Sequence, residues 1–129
     1  MARPLKTDAK DTHRLILDAA LDLFSQGGYA GASMRQLARA VGVRESALYH
    51  HFESKEHLLY VVHRRHIEQL LLPMLDAAER EPDPERRLRD FLGDYALLQT
   101  RDPSLRLLIN ETKRLAPAHV EEIRAAWRR

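Results

Sequence analysis

At 129 residues the chain is long enough to bury one sizeable core, or a small core and part of another. It has no cysteine, which excludes disulfides and thiol chemistry. It shows no apolar run of membrane-spanning length, and the N-terminal MARPLKTDAKDTHR has no apolar core of a secretory signal, so a soluble cytoplasmic protein with no membrane partner is expected. Net charge is only +2, but residues 1–66 hold ten Lys+Arg against seven Asp+Glu and six of the seven histidines. Such a basic N-terminal half suits phosphates, although an offset this small is common on solvated surfaces.

The pattern predicts an all-α chain. A first helix runs from Asp8 or Ala9 to about Gln26, with Ile16, Ala19, Ala20 and Leu23 on one stripe and Leu17 and Phe24 widening it. Gly27-Gly28 ends it. A second helix opens at Ser33, where Ser33 and Gln36 form a capping-box pattern. Met34, Leu37, Ala38 and Val41 share its inner face, and Arg35, Gln36 and Arg39 lie outside. Gly42 is the turn, and Val43 plugs the core. A third helix from Arg44 to His51 points Leu48 and Phe52 inward, with Ser46, Tyr49 and His50 opposite and Ala47 at the edge. Ser54 caps a fourth helix, which Pro73 should kink or end. Asp83-Pro84 starts a fifth, from 84 to about 100, expected to bury Leu88, Phe91, Leu92 and Tyr95. Asp102-Pro103 starts a sixth, to about Leu115, and Pro117 opens a seventh. Two domains are expected, 1–53 and 54–129.

The stretch GASMRQLARAVGVRESALYHHFESK, residues 31–55, has two short helices across a tight turn, a layout that small domains use to lay a helix in the DNA major groove. The order of a long first helix, GGYAGASMRQLARAVGV, SALYHHF and SKEHLL resembles the N-terminal DNA-binding domain of the TetR/AcrR family of bacterial transcriptional repressors, over about residues 9–66. The resemblance implies a helix-turn-helix domain followed by a helical ligand-binding and dimerisation domain. It also implies a homodimer on a palindromic double-stranded operator, released when a small molecule binds the C-terminal helices. It implies no cofactor and no enzymatic activity.

The resemblance assigns DNA contacts residue by residue. Arg35 falls at the edge of the second helix, reaching base or phosphate. Ser33 and the backbone N–H of Met34 fall at that helix's N-terminus, a natural phosphate site. Arg44, Glu45, Ser46 and Ala47 form the leading end of the recognition helix; arginine can pair with guanine, glutamate can accept from cytosine and Ala47 can touch a thymine methyl. Tyr49 and Lys55 match phosphate-binding positions, and His50 and His51 are backbone contacts. Many relatives have a small residue and then Lys-Gly or Lys-Ala where this chain has Arg44-Glu45-Ser46, which implies an operator of its own. The bland readings stand beside these. Glu45 also suits a helix N-terminus, Arg39 suits solvent, and Arg3, Lys6 and Lys10 are better read as a frayed terminus than as an arm on phosphates.

Leu71, Met74, Leu75, Leu88, Phe91, Tyr95, Leu98, Leu107 and Leu108 are candidates to line a ligand pocket, but they are also what any helical core requires, and core is the favoured assignment for each. INETKRLAPAHVEEIRAAWRR loosely resembles relatives that sense lipid or acyl-CoA ligands. Typical relatives continue through two more long helices, so the effector domain is expected to be incomplete, and a dimer is not expected of a chain of this length. His63 and His66 lie one turn apart, but His57 is on another face, so solvated helix residues are expected rather than a metal site. No nucleophilic triad, paired carboxylates or glycine-rich phosphate loop is visible. The alternative is a helical protein–protein adaptor without DNA binding, which needs no positive face around Tyr49 and Lys55.

Overall fold

In a computed structural model that describes residues 9–102, 110–111 and 114–128, every regular element is helical. The elements are α1 (Ala9–Gly27), α2 (Met34–Val41), α3 (Glu45–His51), α4 (Lys55–His66), a π-helical segment (Ile67–Leu71), α5 (Leu72–Glu79), α6 (Pro84–Arg101) and α7 (Pro117–Trp127). The chain divides into two compact units, Met1–Val62 and His63–Arg129. The boundary expected from sequence is 53/54, with the fourth helix linking the two domains, and this division falls within that helix. Residues 103–109 and 112–113 of the expected sixth helix, Leu107 and Leu108 among them, and the basic residues Arg3 and Lys6 lie outside the described residues.

The first unit follows its local signals. Ile16, Leu17, Ala20 and Phe24 of α1 are buried, at the spacing that puts apolar residues on one face of a helix. Ser33 caps α2: its Oγ accepts from Gln36 N–H at 3.1 Å, and Gln36 Oε1 accepts from Ser33 N–H at 2.9 Å. Together they satisfy two of the amides that a helix start leaves free. Gly42 ends α2 at φ 81°, donating to the Ala38 and Arg39 carbonyls. A side chain there would be strained in the left-handed region. The turn drops α3 against α2, with Met34, Leu37, Ala38, Leu48 and Phe52 all buried. Val43 is half-buried and donates to Ala38 O at 3.0 Å.

The second unit departs from the sequence reading in three places. Pro73 does not end the helix. A π segment precedes it, in which Leu72 N–H bonds Ile67 O, five residues back, and Pro73 follows that turn inside a run that stays helical through Leu71 and Leu72. Asp83 caps α6 as expected, accepting from Glu85 N–H at 3.1 Å. However, α6 does not bury its stripe: Leu88 is 60% and Leu92 54% exposed, and Phe91 and Tyr95 are half-buried. Periodicity marks which residues share a face; it does not supply an element to cover that face. Finally, His63 is buried rather than solvated. It follows Leu59 and precedes Ile67 at four-residue spacing, so its position on the stripe outweighs its polarity.

Candidate nucleic-acid interface

The capping box uses the amides of Ser33 and Gln36, which leaves those of Met34 and Arg35 as the first-turn donors of α2 facing outward along the helix axis. The Met34 side chain itself is core. Arg35 carries a side chain 77% exposed, and its Nε lies 3.7 Å from Glu45 Oε2, at the start of α3. Arg44 is the N-cap of α3 in extended conformation; it is exposed and makes no side-chain cap. Its carbonyl accepts from Ala47 N–H at 2.9 Å, closing the first turn.

Along α3 the faces separate cleanly. Leu48 is fully buried, Ser46 and His50 are exposed, Ala47 is half-buried, and Tyr49 is 48% exposed. The Tyr49 hydroxyl suits a phosphate oxygen. His51 is half-buried, its ring 6.0 Å from His13 of α1, while Phe52 stacks on His13 at 4.9 Å. His51 therefore closes the unit as well as bordering its surface.

At the start of α4, Ser54 Oγ accepts from His57 N–H at 3.0 Å, and His57 Nδ1 accepts from Glu53 N–H at 3.3 Å. His57 thus serves the helix start twice, giving its own amide to Ser54 and accepting that of Glu53. Ser54 was legible as a cap, but a histidine three residues on is not the Glu or Gln that marks a capping box. Lys55 is half-buried, with Nζ 4.1 Å from the centroid of the Tyr29 ring. The cation–π contact ties the ammonium to the loop after α1. Tyr29 was not singled out from sequence, because the two residues are far apart in the chain.

The structure thus brings Ser33, Arg35, Arg44, Glu45 and Ser46 to the outer side of the α2–turn–α3 pair, with Tyr49 and His50 further along α3 and Lys55 at the next helix start. Cationic and hydrogen-bonding groups on such a surface can hold phosphates, and arginine can read bases.

The second unit carries surface grooves along α5 and α6. One, of about 260 Å³, is lined by Leu75, Ala78, Pro84, Leu88 and Phe91. Another, of about 240 Å³, includes Met74, Phe91 and the acidic Asp90 and Asp94. Both are smaller than the cavities that enclose a drug-sized ligand. Of the candidate pocket residues, Met74, Leu75 and Phe91 come together in these grooves, whereas Leu71 is core. Tyr95 stacks on Phe91 at 6.1 Å and accepts from Gln99 Nε2 at 2.8 Å, Leu98 is half-buried, and Leu108 lies outside the described residues. Nδ1 of His63 has no hydrogen-bond partner, and burial, aided by His66, pushes its pKa down to about 4. Among the described residues no three His, Asp or Glu side chains converge on a metal position. No described helix is long and apolar enough to cross a membrane.

Residues 16–61 match the family model described as bacterial regulatory proteins, tetR family. The regulator UidR of Escherichia coli K12 is 36% identical over 98 residues, 76% of this chain and 47% of UidR. The transcriptional repressor KstR of Rhodococcus jostii RHA1 is 34% identical over 99 residues, 74% of this chain and 44% of KstR. Among solved structures, AibR, crystallised with isovaleryl coenzyme A and operator DNA, is 28% identical with a TM-score of 0.83, over 91% of this chain and 64% of AibR. The chain spans about half the length of the curated relatives it matches.

Proposed function

The chain belongs to the TetR family of bacterial regulatory proteins, and from that premise we propose that it is a sequence-specific DNA-binding transcriptional regulator, a repressor released by a small molecule. One observation carries the DNA-binding reading: the α2–Gly42–α3 pair leaves Arg35, Arg44, Ser46 and Tyr49 exposed while Leu37, Ala38 and Leu48 are buried. In this reading α3 enters the major groove. Arg44, Glu45, Ser46 and Ala47 meet base edges, with Arg35 beside them. The α2 N-terminus at Ser33 and Met34, with Tyr49, His50, His51 and Lys55, holds the flanking phosphates. In this reading the protein acts by occupying its DNA site.

One α3 spans too few base pairs for tight operator binding. A homodimer that sets two such helices one DNA turn apart, roughly 34–36 Å, gains area and avidity on a palindromic site. An acyl-CoA is the effector class we favour, because AibR, a similar regulator, was solved with one. The apolar Leu75–Phe91 groove is compatible with the acyl end of such a ligand.

Selection from a random duplex library, followed by footprinting on DNA flanking the protein's own gene, tests the reading. A two-fold symmetric consensus protected in that flank is the expected result. A folded chain that enriches no sequence would leave the adaptor reading in its place. Release of the selected duplex by isovaleryl-CoA or a longer acyl-CoA tests the effector.

A further inference from the structure

Arg35 and Glu45 are ten positions apart and belong to different helices, yet they face each other across the turn at 3.7 Å. The atoms involved matter. Glu45 approaches Nε of the guanidinium, on one edge of its planar fork. An arginine has five donors in a planar fork, so a carboxylate beside Nε does not occupy the end-on pair, the two Nη groups. That end-on edge can pair bidentately with O6 and N7 of a guanine.

We infer that Glu45 is a positioning residue: it braces Arg35 from the Nε side so that the two Nη groups present a fixed fork to one guanine of the operator. This inference rests on the DNA-binding reading above and assigns Glu45 a role through Arg35 in place of its own contact with cytosine. In water the pair is weak. Arg35 is largely solvated and Glu45 half-buried, and surface pairs of this kind shift an equilibrium by about fivefold at most. At a DNA surface, where water is displaced, the same pair orders a flexible side chain before it meets the base, and less conformational freedom is lost in forming the contact. A carboxylate also repels phosphates. It therefore lowers affinity for every duplex alike, and recovers that loss only where Arg35 finds its guanine. Glu45 would trade affinity for discrimination.

The test is a double-mutant cycle of Arg35→Ala and Glu45→Gln, read as the ratio of affinities for the selected operator and for a duplex with the candidate guanine changed to adenine. The ratio cancels the uniform phosphate term. The guanine is identified as the position whose preference disappears when selection is repeated with Arg35→Ala. Glu45→Gln should lower the ratio about fivefold or more in the wild-type background and less than twofold in the Arg35→Ala background. It should also tighten binding to non-operator DNA. An equal loss in both backgrounds would mean that Glu45 reads a base by itself, and overturns the inference. So would an unchanged ratio, which leaves Glu45 as a favourable charge at the start of α3. If wild type discriminates among no duplexes, the DNA-binding reading fails first and this inference with it. Circular dichroism of each variant separates these outcomes from unfolding.

Discussion

Replacing His63 by leucine should stabilise the protein in mild acid and flatten its dependence on pH. His63 is 5% exposed, and its Nδ1 has no hydrogen-bond partner. Burial first, and the charge of His66 second, push its pKa from 6.5 to about 4. The folded protein thus refuses a proton that the unfolded chain accepts between those values. Stability from the neutral imidazole is complete above pH 6.5 and is lost as pH falls toward 4. At about 1.4 kcal/mol per pH unit, the fall from 6.5 to about 4 amounts to about 3 kcal/mol. His66, also lowered by burial but opposed by Asp102, acts in the same direction. Urea unfolding of wild type and His63→Leu between pH 7 and 4.5 measures the effect. Carboxylates titrate in both proteins, so the difference between them is the quantity to read. The leucine variant should gain about 2–3 kcal/mol on wild type across that range. Parallel profiles would show that His63 reaches water and would refute the reasoning.

Lys55→Ala should weaken binding to all duplexes nearly uniformly and reduce the slope of log affinity against log salt by about 1, measured by fluorescence anisotropy. Gly42→Ala forces a side chain to φ 81° and should cost about 1–2 kcal/mol, read as a lower urea midpoint with the slope unchanged. Replacing Leu88 and Leu92 together by glutamine should leave the melting temperature within a few degrees, because both are more than half exposed, while reducing fluorescence of an apolar dye; a steep loss of stability would mean that the α6 face is covered in solution.

The features legible in the sequence were those set by a few neighbouring residues. Ser33 with Gln36, Gly42, and Asp83 with Pro84 each carry a local hydrogen-bonding or dihedral requirement that residue type reveals. The α2–turn–α3 layout followed from them, and with it the exposure of Arg35, Arg44, Ser46 and Tyr49. What was not legible depended on distant partners. Leu88 and Leu92 have the right spacing for a core, but nothing in their own helix decides what covers them. His63 was read by its polarity although it interrupts a Leu59–Ile67 stripe. The Arg35–Glu45 contact and the Lys55–Tyr29 contact join residues whose approach is set by turn geometry and helix packing, which no pattern within one helix encodes.

The π segment at Ile67–Leu71 has a consequence for how related chains are aligned. It fits one more residue into the helix than an α-helical track over the same rise would hold. A relative lacking that residue would need a single gap in mid-helix, where gaps are usually disallowed. Forcing an ungapped match would then put every later position out of phase by about 100° of helical rotation. Leu75 would be compared with the residue occupying the position of a neighbour on a different face. Inheritance of residue roles is thus straightforward up to His66, and beyond Leu71 it depends on placing one residue correctly.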